Sequence, residues 1–285
     1  MKKLLFAAMV LFASVILAAC EPASQIPAAT GISEENASND AQKPAAEEES
    51  LPEESAAFAS EESARRLAFG RILWDVYQTG TLPDGRTLEY VDMEAAEDNS
   101  FALADVDGDG QEELLLFWEN ASMAGMTEVV FGYDGETVYE ELSEFPSLTF
   151  YDNGIVEAGW SHNQGLAGRF WPYEVYRWDR EKDVYRHFGG VDAWDRSLRE
   201  ENYDGEPFPA DADADGDGFV YYILSDGWNG QYDMPAVDGQ DYENWRSAYL
   251  DGAKEVEILR SGLTEENIAV LGCPRPDIQP AQPKG

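Results

Sequence analysis

Residues 127–160 read TEVVFGYDGETVYEELSEFPSLTFYDNGIVEAGW. Runs rich in β-branched and aromatic residues alternate here with two compact turn signals. Asp134-Gly135 separates residues 127–133 from 137–142, and Asp152-Asn153-Gly154 separates 148–151 from 155–160. Asp-Gly and Asn-Gly steps favour the positive-φ turns of hairpins, so each pair of runs predicts antiparallel neighbours. Working outward, residues 173–178 and 184–188 bracket a third hairpin at 179–183, and 101–106 and 113–119 flank an Asp/Gly loop. Residues 219–224 add a strand, and 255–259 alternate like an edge strand. No helix-period segments alternate with these runs, which excludes a parallel sheet with crossover helices.

Helical patterns stand at the two ends. Ser60-Glu61-Glu62-Ser63 offers an N-cap and an acidic first turn, and Leu67, Phe69, Ile72, Leu73, Val76 and Tyr77 follow mainly at helical spacing before Gly80. Asp238 is placed to cap a helix carrying Tyr242, Trp245 and Tyr249, ended by Gly252, and Thr264 opens a last short helix through Val270. The fold class is α+β: an antiparallel β-meander sheet with an N-terminal helix and short C-terminal helices, over residues 60–272. A division within 204–217 stays open. Residues 20–59 are rich in Glu, Ala, Ser and Pro, bury too little to offset ordering entropy, and read as an acidic disordered linker. Residues 273–285 read as a C-terminal tail.

The chain has 285 residues, 57 acidic against 19 basic, for a formal net charge of −38. Such a surface repels nucleic-acid phosphates and anionic lipid headgroups, so neither is a partner through basic patches. Hydrophobic residues at 44% and aromatics at 12% are ample for a core. Lys2 and Lys3 precede an uncharged apolar run through Ala19, which is too short for a spanning helix and suits a signal peptide over residues 1–19. The run ends in Leu17-Ala18-Ala19-Cys20, which resembles a bacterial lipobox. That resemblance implies acylation of Cys20, palmitate-type chains in the membrane, and an extracytoplasmic protein whose linker is a tether. The other cysteine, Cys273, then has no disulfide partner within the chain and reads as a bystander thiol in the tail.

Asp105-Val106-Asp107-Gly108-Asp109-Gly110-Gln111-Glu112-Glu113 carries the chemistry. Carboxylates at positions 1, 3 and 5 converge when Gly at position 6 permits a sharp turn, the Gln111 carbonyl at position 7 joins them, and Glu113 follows at position 9. Calcium takes six to eight oxygens, which this loop plus water supplies. An EF-hand needs Glu at position 12 and flanking helices; position 12 is Leu116 and both flanks read as strands. The loop resembles instead the Asp-x-Asp-x-Asp-Gly-x-x-Asp loop of FG-GAP and VCBS-type repeats, with Glu113 in place of the final Asp. That resemblance implies a calcium loop between two strands and covers roughly twenty residues. It does not bring a propeller, which needs several such blades. The overall arrangement is similar to that of surface lipoproteins of anaerobic Gram-positive bacteria. Asp211, Asp213, Asp215 and Asp217 form a weaker second metal candidate, because neither counting register closes on an acid.

No catalytic constellation emerges. His162 and His187 are the two histidines, there is no Gly-x-Ser-x-Gly elbow and no zinc spacing. Ser161 and His162, as neighbours at a strand end, should point to opposite faces, and His187 should pack or cap a strand end. The reading is a membrane-anchored lipoprotein with a structural calcium loop, a binding or scaffold module more readily than an enzyme. A carbohydrate-binding protein or a carboxylate-based glycoside hydrolase at the cell surface is the alternative, with a cell-wall or glycan ligand as partner. Trp160, Trp171, Tyr173, Tyr176, Trp178 and Trp194 would supply such a surface, although sheet packing accounts for most of them.

Overall fold

The computed structural model describes residues 53–89, 97–163, 165–226 and 234–276, with side chains from Ser60 onward. The signal segment 1–19, Cys20, the linker through residue 52 and residues 277–285 of the tail lie outside the described residues. The chain runs through helix α1 (Glu53–Thr79) and strands β1 (Ser100–Ala104), β2 (Glu113–Trp118), β3 (Thr127–Tyr133) and β4 (Val138–Glu144). Strands β5 (Leu148–Tyr151), β6 (Ile155–Gly159), β7 (Tyr173–Asp179), β8 (Val184–Asp195), β9 (Phe219–Ser225) and β10 (Ala236–Val237) follow. Helix α2 (Gly239–Leu250), strand β11 (Ser261–Gly262) and helix α3 (Glu265–Ala269) complete it.

The α+β class holds, and the strands are antiparallel, but they divide into two sheets. One has the order β11-β1-β2-β3-β4 and the other β10-β9-β8-β7-β6-β5. The meander is interrupted at Phe145-Pro146-Ser147, where Pro146 offers no N–H for a ladder and the chain steps from one sheet to the next. The layers follow from alternation along β2. Leu114, Leu116 and Trp118 face Phe69, Leu73, Trp74 and Val76 of α1, whereas Leu115 and Phe117 face the second sheet through Phe150, Val156 and Tyr185. β2 is therefore buried along its whole length, which is why its sequence is a continuous apolar run. The far face of the second sheet packs Tyr151, Ile155, Tyr173, Val175 and Val191 against Tyr242 and Tyr249 of α2. The result is a helix–sheet–sheet–helix stack.

Several boundaries differ from the sequence reading. Helix α1 begins at Glu53, seven residues before the expected Ser60 cap, because the segment from 53 to 59 is made of good helix formers behind an acidic start. Strand β8 runs on to Asp195 through Gly189-Gly190. A Cβ at Gly189 would stand 2.7 Å from the Leu224 carbonyl oxygen, so the glycine permits close strand approach there instead of ending the strand. The 255–259 edge strand does not form; Tyr151 and Glu255 make an isolated bridge. That segment carries Val256 and Ile258 into the core between the sheets on its way to β11, which pairs with β1. Cys273 is not in a free tail: it is buried in the core beside α1, and its carbonyl accepts the Trp74 indole N–H at 3.1 Å. Among the described residues no helix is long and apolar enough to cross a membrane.

Candidate metal centre

The loop between β1 and β2 sits at one end of the sandwich and is organised by its own carboxylates. Asp105 accepts the N–H of Gly108 at 2.8 Å and of Gly110 at 3.0 Å, and Asp107 accepts that of Asp109 at 2.8 Å. Gly110 has φ +89°, which L side chains avoid, so the turn at position 6 requires it. Glu113, the first residue of β2, reaches back to accept the Val106 N–H at 2.9 Å. The second sheet supports the loop from below. The Tyr185 hydroxyl donates to the Val106 carbonyl at 2.8 Å, and the β5–β6 turn lies beside the loop, where a Cβ at Gly154 would be in van der Waals contact with the Asp107 carbonyl oxygen at 3.6 Å.

One carboxylate oxygen each from Asp105, Asp107 and Glu113 lies within 4.8 Å of the others. Oxygens at 2.3–2.6 Å from one calcium stand up to about 5 Å apart, so this spacing fits a shared ion. Asp107 and Glu113 are each 4% exposed. Burial raises the Asp107 carboxyl to about 6 and the Glu113 carboxyl to about 9; the amide of Asp109 and that of Val106 oppose the shifts, and neighbouring carboxylates add to them. Of the other expected ligands, Asp109 turns onto its own loop, accepting the Gln111 N–H and side-chain amide, both at 2.7 Å. The Gln111 side chain is thereby tied to Asp109, which does not bear on its main-chain carbonyl, the expected ligand at that position.

A cavity of about 450 Å³ opens on the inner side of the loop, lined by Asp107, Asp109 and Glu113. Its walls also carry Tyr139, Trp178 and Asp183, and Arg65 of α1 is the basic side chain among them. Glu141 of β4 lines it too, and sequence reasoning missed this residue. The register of β3 and β4 shifts between Val130 and Phe131, so that Val130 pairs with Leu142 and Phe131 with Glu140, leaving Glu141 as the extra residue of a bulge. Alternation would place Glu141 opposite in facing to Leu142, yet both are buried. A bulge carries no signature of its own in the sequence; two adjacent acids beside Leu142 are the faint sign available.

The second aspartate loop is rearranged relative to expectation. Asp213 and Asp215 group with Asp238, not with Asp211 and Asp217. Asp238 caps α2 through the Gln240 N–H and also accepts the amides of Ala214 and Asp215 at 2.6 and 3.1 Å. Those amide bonds hold its carboxyl below the usual range. Asp217 accepts the Phe219 N–H at 2.8 Å. Asp213 accepts the Gly218 N–H at 3.1 Å through Oδ2, while its Oδ1 is buried without a hydrogen-bond partner.

Ser161 and His162 lie beyond the end of β6, not on opposite faces of a strand, with Oγ and Nδ1 3.0 Å apart at the surface. His187 lies within β8, between Glu174 at 2.7 Å and Asp226 at 3.2 Å. Of the aromatic group, Trp194 and Tyr173 are core residues, Trp160, Tyr176 and Trp178 are partly buried, and Trp171 is 53% exposed. No family model, curated protein or solved structure matches this chain.

Proposed function

We propose that this chain is an extracytoplasmic lipoprotein whose folded domain is stabilised by a structural calcium ion in the 105–113 loop and serves as a binding or scaffold module held off the membrane. The observation that carries the calcium reading is the convergence of the Asp105, Asp107 and Glu113 carboxylates, of which Asp107 and Glu113 are buried and line a cavity. Carboxylates so placed repel one another until a cation lies between them. The ion is structural in this reading because the loop ties β1 to β2 and rests on the second sheet. The anchor rests on Leu17-Ala18-Ala19-Cys20.

A thermal scan of the full-length protein tests the first part. A ligand that binds only the folded state adds RT ln(1 + [L]/Kd), about 1.4 kcal/mol at ten times Kd. Millimolar calcium should raise the melting temperature of the wild type, and Asp107→Ala should lose most of that shift without lowering the melting temperature of the calcium-free protein. An equal calcium response in the variant would remove the ion from this loop. For the anchor, Cys20→Ala should move the protein from the membrane to the soluble fraction, since the acyl chains lose their attachment atom; continued membrane retention would refute acylation.

A further inference from the structure

Glu141 is the group in this end of the sandwich whose chemistry the loop alone leaves unexplained. It is 6% exposed, and its Oε2 is buried without a hydrogen-bond partner. A buried carboxylate oxygen left unmatched costs the full desolvation of the group, so such a residue calls for a partner. The strand is shaped to bring it there. The β4 bulge turns Glu141 inward, and Gly132 on β3 clears its path: a Cβ at that position would stand 2.1 Å from Glu141 Oε1. The carboxylate lines the same cavity as Asp107 and Glu113. Burial and, after it, the charges of Glu113 and Asp107 raise its proton affinity, as expected for acids facing one space.

We propose that Glu141 is a further ligand of the loop cation, so that the ion is held jointly by the β1–β2 loop and the β4 bulge, tying the two ends of the sheet together. This inference rests on the calcium reading given above. It follows from ligand number as well as from placement. Asp105, Asp107 and Glu113 supply three side chains, Asp109 stands outside that group, and calcium takes six to eight oxygens. Glu141 also differs in kind from the loop acids: it lies 28 residues beyond Glu113 in sequence (141 − 113) and reaches the site only through the sheet.

The test is calcium affinity by calorimetry on the full-length wild type, Glu141→Gln and Glu140→Gln, with the number of bound waters read from terbium luminescence lifetimes in H₂O and D₂O. Glu140, the neighbouring residue, pairs with Arg86 and serves as the control. The expected result is at least a tenfold loss of affinity in Glu141→Gln together with about one more water on the terbium ion, as a lost inner ligand requires; Glu140→Gln should change neither. Unchanged affinity, or lower affinity with an unchanged water count, would overturn the proposal, because the carboxylate would then be outside the coordination sphere. A wild type that binds no calcium would instead overturn the calcium reading itself. Should Glu141→Gln fail to fold, Gly132→Ala displaces the same carboxylate and is read in the same way.

Discussion

Glu128 is one of several buried acids through which this protein responds to pH. It lies on β3, is 1% exposed, and accepts the Leu148 N–H at 3.3 Å, which links the two sheets where the chain crosses between them. Burial raises its carboxyl to about 8, against the opposing Leu148 amide and the Arg260 guanidinium. A carboxyl whose folded pKa lies above its unfolded value binds its proton more strongly in the folded state. The stability this gives is present below the unfolded value near 4.5 and is lost as pH rises toward about 8. The calcium-free protein should therefore be less stable at pH 8 than at pH 5. Glu128→Gln, which keeps an acceptor for Leu148, should flatten that decline, by up to about 1.4 kcal/mol per pH unit. Urea denaturation in EDTA at the two pH values measures it, and an unaltered slope in the variant would place the pH dependence elsewhere. None of this was readable from the sequence, where Glu128 is one acid among 57 acidic residues and alternation on a doubly buried strand gives no warning.

Local elements were readable where hydrogen-bonding chemistry is local. The hairpin turns at Asp134-Gly135 and Asp152-Asn153-Gly154 fall where expected, and β3 and β5 match the expected spans. The Asp238 and Thr264 caps also stand as read. What was not readable depends on partners far away in sequence: the passage from one sheet to two, the β8 extension through Gly189-Gly190, and the β4 bulge that turns Glu141 inward. Helix α2 shows the same division. Its start is written in Asp238, but its seating depends on Arg246, which donates to both carboxylate oxygens of Glu157 on β6 at 2.8 and 2.9 Å and to the Tyr151 hydroxyl at 3.1 Å. The Tyr249 hydroxyl donates to the same carboxylate. Arg246→Ala leaves Glu157 largely buried without its cation and should cost about 3 kcal/mol in urea denaturation. Adding Glu157→Gln should recover part of that loss. A single-variant cost below about 1 kcal/mol would mean that aromatic packing alone seats the helix.

The stack of helix, sheet, sheet and helix gives a protein with a net charge of −38 three protected interfaces and one place where carboxylates crowd into the interior. Most acids can face water; Asp107, Glu113 and Glu141 do not, and they meet at the end of the sandwich where loop, hairpin turn and bulge converge. The aspartate spacing foretold the turn between β1 and β2 because its hydrogen bonds close within a few residues. The cavity behind it is a product of tertiary structure and was not foretold. A cation there would offset repulsion that self-charge otherwise imposes on the compact state. The most direct measurement is a crystal structure of the protein grown with calcium, with a terbium soak to locate the ion by anomalous scattering. The account predicts a single strong peak at the loop, with oxygens of Asp105, Asp107 and Glu113 at about 2.3–2.6 Å from calcium. A loop that keeps its present hydrogen bonds with only water among those carboxylates, at millimolar calcium, would contradict it.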